Sequence, residues 1–237
     1  MEQLFTGKVA LVTGASRGIG RAVASRLAAQ GAQVVGSARS EASLGTLASE
    51  LNKFEKHFAA AAGDLRDAKF CETLPAKCID HFGRLDILVN NAGINHVGTI
   101  ESLPLEAWEE TLKVNLTAPF LLTKAALPFL KASGAGVIIN ISSVSAKMGL
   151  PKFPGFAAYC ASKYGLQGLT DVTYTEAKAL GVRVVCVQPG STDTDLLQKT
   201  MPGVPADLSP ADVAQVVAFL ASDQAQKING ATIEVFP

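Results

Sequence analysis

Lys8-Val9-Ala10-Leu11-Val12-Thr13 is a short apolar run that breaks into Gly14-Ala15-Ser16-Arg17-Gly18-Ile19-Gly20, and a helical pattern then lasts to about Gly31. A strand, a glycine turn and a helix in immediate succession make the first half of a βαβ unit. Glycines at that turn let the backbone approach a pyrophosphate, and the unpaired N–H groups of the first helical turn face an anion. The spacing is G-x-x-x-G-x-G, and glycine clusters also serve plain loop geometry. Position decides: directly after the first strand, this cluster predicts a dinucleotide site.

Working outward, the alternation persists along almost the whole chain. Gln33 to Ser37 reads as a second strand, followed by a helix from Glu41 to Lys53. Phe58 to Gly63 is a third strand, Ala68 to Phe82 a helix and Asp86 to Asn91 a fourth strand. A long helical stretch, Leu105 to Ala132, carries Pro119 and Pro128, where breaks or kinks are expected. Val137 to Ser142 is a fifth strand, Phe156 to Leu180 a helix and Val182 to Gln188 a sixth strand. Ser209, Pro210 and Asp212 open a last helix, and Ala231 to Val235 is a seventh strand. Strands alternating with helices predict an α/β fold, with one doubly wound domain over 1–237 and a seven-stranded parallel sheet flanked by helices. Residues 146–155 and 191–209 read as long loops, and loops of that length tend to be functional.

Composition narrows the function. The chain has 237 residues, 48% hydrophobic and 18% charged, and 21 basic residues balance 21 acidic ones. A neutral, core-rich chain has no electrostatic case for nucleic acid or for an anionic membrane. Mean hydropathy is +0.26, yet no apolar run is long enough to span a bilayer, and Met1 to Lys8 carries no readable secretory signal. Cys71, Cys78, Cys160 and Cys186 lack C-x-x-C spacing and read as reduced thiols in a cytoplasmic protein. His57, His81 and His96 lack ligand-like spacing, so no metal is expected.

Asp64-Leu65, Asn90-Asn91-Ala92-Gly93, Asn115, Ser142-Ser143, Tyr159-Cys160-Ala161-Ser162-Lys163 and Pro189-Gly190 follow the glycine turn in order. Together they resemble the short-chain dehydrogenase/reductase family over essentially the whole chain, and most closely its 3-oxoacyl-acyl-carrier-protein reductase branch. The resemblance implies a Rossmann-type fold and hydride transfer between NADP(H) and a small carbonyl or secondary alcohol. It makes Tyr159 the general acid in reduction, with Lys163 lowering the phenol pKa and binding the nicotinamide ribose. Ser143, the second of its pair, would hydrogen-bond the substrate oxygen, and Asn115 would hold a relay water behind Lys163. Tyr159 and Lys163 stand four apart, on one helical face. Hydride delivery creates an alkoxide that needs a proton, and an adjacent ammonium favours the phenolate left behind. The gap from Ser143 to Tyr159 is longer than in close relatives, which places Leu150-Pro151-Lys152-Phe153-Pro154 beside the substrate.

The resemblance further assigns Gly14, Ser16, Arg17, Gly18, Ile19 and Gly20 to the cofactor. Asp64 and Leu65 would meet the adenine, and Asn91, Ala92 and Gly93 the adenosine ribose. Pro189, Gly190, Thr192 and Thr194 would hold the carboxamide, Thr194 through its hydroxyl. No acidic residue follows the second strand; Arg39 stands there, and with Arg17 it would bracket a 2′-phosphate, which favours NADP(H) over NAD(H). A homotetramer is expected, with the helices of Leu105 to Ala132 and Phe156 to Leu180 in the larger contact. The family's glycine-rich tail is replaced here by Phe236-Pro237, so a dimer is the alternative. Lys131 and Lys178 stand where carrier-protein reductases place arginines, so little dependence on acyl carrier protein is expected. A dedicated carrier-protein reductase and a non-catalytic NADP(H) sensor are the rival readings.

Overall fold

The computed structural model describes residues 2–52 and 57–236. Seven strands, β1 (Val9–Thr13), β2 (Gln33–Ala38), β3 (Phe58–Ala62), β4 (Ile87–Asn90), β5 (Val137–Ile141), β6 (Arg183–Pro189) and β7 (Thr232–Val235), form one sheet. Every pairing is parallel, in the order β3-β2-β1-β4-β5-β6-β7. The chain winds outward from β1 to β3, then returns to lay β4 along the other edge of β1, with Leu11 opposite Leu88. Such a reversal opens a crevice at the carboxyl ends of the two central strands.

In chain order the helices are α1 (Gly18–Ala29), α2 (Glu41–Leu51), α3 (Ala68–Thr73), α4 (Ala76–Phe82), α5 (Leu105–Leu112), α6 (Ala118–Ala132), α7 (Ala157–Ala177), α8 (Asp195–Thr200) and α9 (Pro210–Ala221). Central strands are buried on both faces, and successive side chains point to opposite faces. Ala10 and Val12 therefore join a core with Leu27 of α1, Leu44 of α2 and Val217 of α9. Val9 and Leu11 join the other, with Cys71 of α3, Cys78 of α4, Leu122 of α6 and Ala177 of α7. One buried carboxylate locks the centre: Asp86 accepts the Val9 N–H at 2.9 Å and the Arg84 guanidinium at 2.7 and 2.8 Å.

The helix expected over Ala68 to Phe82 is two helices. Pro75 has no N–H to offer the Cys71 carbonyl, so α3 ends at Thr73 and α4 restarts at Ala76. The stretch 191–209 is not all loop either, because the Thr194 hydroxyl accepts the Leu197 N–H at 3.3 Å and starts α8. The expected break near Pro119 takes the form of a π-helical segment, Lys113–Thr117, between α5 and α6. Pro128 stays inside α6. The final helix starts as expected, with a capping box between Ser209 and Asp212. The expected helix end at Lys53, together with Met1 and Pro237, lies outside the described residues.

Candidate active site

A cleft of about 400 Å3 runs along the carboxyl ends of the strands, lined by Gly14 after β1, Asn91 after β4, Ser142 and Ser143 after β5, and Pro189 at the end of β6. At one end the glycine turn is folded tightly on itself. A Cβ on Gly20 would lie 2.3 Å from the Gly14 carbonyl oxygen and 2.4 Å from the Asn91 amide nitrogen. Gly18 sits at φ +53°, where a side chain is strained. No side chain caps the start of α1 and no acid occupies its first turn, so its N–H groups face the cleft ready for an anion. The fit to a pyrophosphate is good.

Neighbouring loops are tied to that turn. The Thr13 hydroxyl accepts the Asn91 N–H at 3.0 Å and the Ala92 N–H at 3.1 Å, and the Asn91 side chain donates to the Thr13 carbonyl at 2.8 Å. Asn90 points the other way, donating to Asn140 at 2.8 Å, while Asn140 donates to Thr170 of α7 at 2.9 Å. It is a strut between strands and helix.

Ser16, Arg17, Gly18, Ile19, Arg39, Asp64 and Leu65 line this end of the cleft. Gly20 stands behind the turn and does not reach the wall. Arg17 does not lean toward Arg39: its guanidinium lies 3.3 Å from Asp195 at the start of α8, across the cleft. Asp64 is held by Arg66, whose Nε donates to it at 2.9 Å, and this guanidinium keeps the carboxyl below its ordinary range. Arg66 reaches on to Glu110 at 2.7 Å, and Glu110 meets His96 at 2.9 Å.

At the other end Ser143, Tyr159 and Lys163 come together. Tyr159 and Lys163 sit on α7, with the Lys163 ammonium 5.6 Å from the centre of the Tyr159 ring. That ammonium donates to the Ile141 carbonyl at 2.8 Å, and the Ser142 hydroxyl donates to the Lys163 carbonyl at 3.0 Å. Ser142 therefore anchors the helix, while the Ser143 hydroxyl accepts the Ser145 N–H at 3.1 Å and stands near enough to the Tyr159 phenol to favour its charged form. Burial pushes the Tyr159 phenol up to about 12, with Ser143 acting against it. The expected lowering by Lys163 does not appear, because the ammonium is turned to a backbone carbonyl and is itself lowered by burial to about 8. Ala92 and Gly93 complete this wall, where a Cβ on Gly93 would approach the Lys163 ammonium to 3.6 Å.

Asn115 lies one layer behind, fully buried in the π-helical segment. Its side chain donates to the Ile94 carbonyl at 2.9 Å and to Ser162 at 3.0 Å, and accepts the Ile94 N–H at 2.9 Å. Its carbonyl, four residues before Pro119, has no α-helical N–H to pair with. Pro189, Gly190, Thr192 and Thr194 line the remaining wall. The Thr194 hydroxyl is engaged within the protein, donating to the Thr192 carbonyl at 3.2 Å besides capping α8.

Several lining residues carried no motif to announce them: Asn95, Val144, Phe156, Leu196, Leu197 and Met201. Of the loop expected beside the substrate, only Phe153 reaches the cleft. Burial raises the Cys71, Cys78, Cys160 and Cys186 thiols above their ordinary range, and no group of three or more metal-ligating side chains occurs among the described residues.

A glycine-turn cradle, an uncapped helix start and a Ser-Tyr-Lys cluster in one cleft define a dinucleotide-dependent oxidoreductase. The family model for short chain dehydrogenases matches residues 8–204, and the chain belongs to that family, whose members bind nicotinamide cofactors. A 3-oxoacyl-acyl-carrier-protein reductase of Vibrio cholerae is 39% identical over 97% of this chain and 96% of its own. A solved short chain dehydrogenase of Burkholderia cenocepacia in complex with NADP superimposes with a TM-score of 0.90 at 33% identity, covering 99% of this chain and 98% of its own. A 3-ketoacyl-(acyl-carrier-protein) reductase of Brucella melitensis complexed with NADH gives 0.89 at 33% identity, covering 97% of each chain.

Proposed function

We propose that this chain, acting as one unit over 1–237, transfers hydride between NADP(H) and a carbonyl or secondary alcohol. The observation that carries this is the meeting of Ser143, Tyr159 and Lys163 at the far end of the cleft that begins in the glycine turn. When bound, the dinucleotide supplies or accepts the hydride. Every other task falls to the chain. Gly14, Ser16, Gly18, Ile19 and the start of α1 hold the pyrophosphate, with Gly20 keeping the turn tight. Asp64 and Leu65 frame the adenine, Asn91, Ala92 and Gly93 the ribose, and Pro189, Gly190, Thr192 and Thr194 the carboxamide. Thr194 acts there by shaping the loop, since its hydroxyl is occupied.

Ser143 fixes the carbonyl oxygen, and the Tyr159 phenol, which its surroundings keep protonated, donates a proton to that oxygen as negative charge develops. Lys163 stabilises the phenolate this leaves and binds the nicotinamide ribose. A water on the Asn115 main-chain carbonyl would return a proton through Lys163, a role open to that carbonyl because Pro119 removes its helical partner. Arg39 supports NADP(H), with Arg17 available once a phosphate competes with Asp195 for it.

The chain acts in the cytoplasm as a homotetramer. Supporting the larger contact, Leu105, Phe120 and Val172 expose apolar side chains on α5, α6 and α7. Lys178 lies 5.8 Å from the Tyr174 ring centre, and with Lys131 it offers acyl carrier protein a weak charged surface only. The deciding experiment is substrate-dependent loss of NADPH absorbance across a panel of small ketones, repeated with NADH. Turnover with higher kcat/KM for NADPH supports the assignment. Dinucleotide binding without turnover would leave a sensor.

A further inference from the structure

Beyond Tyr159 the wall of the cleft continues in aromatic rings. Phe156 meets Tyr159 edge to face, with ring centres 5.9 Å apart at 74°, and Phe153 meets Phe156 at 5.9 Å and 51°. The rings thus step from the catalytic phenol to the rim. Phe156 is buried, and its loop is pinned where Gly98 donates to the Gly155 carbonyl at 3.1 Å. Phe153 is the outermost step and remains 56% exposed. Leu196, Leu197 and Met201 of the α8 region line the same cleft. An aromatic ring left open to solvent at a cleft mouth, continuous with a buried one, offers apolar area that a ligand can cover.

The charges around this end are already spoken for within the protein. On the loop of Phe153, the Lys147 ammonium is 2.6 Å from Glu234. The Lys152 ammonium donates to the Lys147 carbonyl and lies 5.5 Å from the Tyr164 ring centre. Asp195 faces Arg17, and Glu110 faces Arg66 and His96. Among the described residues, neither Lys147 nor Lys152 lines the cleft, and the one ammonium at its substrate end, Lys163, is held by the Ile141 carbonyl, so a carboxylate on the substrate would lose its hydration without a cation placed to receive it.

We propose that Phe153 is the specificity-determining residue of the substrate end, and that the substrates are neutral ketones bearing one aryl or other bulky apolar arm. This rests on the reductase reading above and adds to it the class of substrate. The arm lies along Phe153 and Phe156 while its carbonyl reaches Ser143 and Tyr159.

The test compares three methyl ketones, butan-2-one, 4-phenylbutan-2-one and 4-oxopentanoate, with the wild-type enzyme, Phe153→Ala and Phe153→Leu. In the wild type the aryl ketone should exceed butan-2-one in kcat/KM by about tenfold or more, the scale of one well-placed aromatic contact with its buried area. The carboxylate ketone should fall below both. Phe153→Ala should cut the aryl-to-butanone ratio about tenfold, and Phe153→Leu should retain more of it. Because Phe153 is exposed, equal melting temperatures for the three proteins will show that folding is not at issue. An unchanged ratio in Phe153→Ala, or a wild-type preference for 4-oxopentanoate, overturns this proposal and leaves the reductase reading standing. Failure of the wild type on all three ketones, with either cofactor, overturns that reading and this proposal with it.

Discussion

The two ends of the cleft are built in different ways. The cofactor end consists largely of backbone: glycine turns, an open helix start and loops tied down by Thr13 and Asn91. The substrate end consists of side chains converging from β5, α7 and the α8 region, segments far apart along the chain. A site made of backbone accepts one ligand shape and is held by local sequence. A site made of converging side chains can change its ligand without disturbing the fold. The proposed chemistry takes place where the two meet, at Tyr159 and Lys163.

If that division is real, mutations should separate along it. Tyr159→Phe should lower kcat by about a thousandfold, within the range for a lost general acid, while the Kd for NADPH changes little. Lys163→Ala should damage both quantities, because Lys163 serves both ends. Stopped-flow turnover beside fluorescence titration of NADPH measures the split. Equal losses in Tyr159→Phe would erase the boundary drawn here.

Arg39→Asp should act wholly on the cofactor end. It replaces a cation that suits a 2′-phosphate with an acid that suits a ribose hydroxyl, and it should shift the NADPH-to-NADH ratio of kcat/KM about a hundredfold toward NADH. Ranking of the ketones should not change. A changed ranking would mean that the ends communicate.

The smallest effect is the dependence on pH. Burial lowers Lys163 to about 8, so its ammonium is charged below that pH and neutral above it. Reduction should therefore slow as pH rises through about 8, by at most about tenfold per unit. Tyr159, raised to about 12, keeps its proton throughout and adds no second limb in the working range. Stability moves the other way. From about 8 upward the unfolded chain binds the lysine proton and the folded chain does not, so Lys163 adds stability as pH rises to about 9; above that the buried Cys71 and Cys186 thiols, raised from 9 to about 11, oppose it. A pH–rate profile paired with thermal melts checks both signs.

Legibility in the sequence follows the same division. The succession of strands along the chain, the glycine turn, and the Tyr159–Lys163 spacing are readable because each rests on local periodicity or on a turn that only certain residues make. Pro75 is equally legible as a helix breaker, but the apolar pattern that continues on both sides of it reads as one helix. The α8 cap at Thr194 was hidden in a stretch of small polar residues that also suits a loop. Phe156, Leu196 and Met201 gave no signal at all, since an apolar residue that lines a cleft has the same local pattern as one that fills a core. The pairing of Arg17 with Asp195 joins residues 178 apart and exists only once the sheet has formed.

The placing of β4 against β1 also sets a timetable for the nascent chain. β1 pairs with β2 early, Val9 opposite Gln33, but its other edge waits for Ile87. Until then an apolar strand edge lies open to any other chain, a hazard for association during synthesis. The second half of the cleft arrives later still, with α7 and the end of β6. A ribosome that stalls between β4 and β6 would therefore hold a chain whose cofactor cradle is half assembled and cannot yet be stabilised by its ligand.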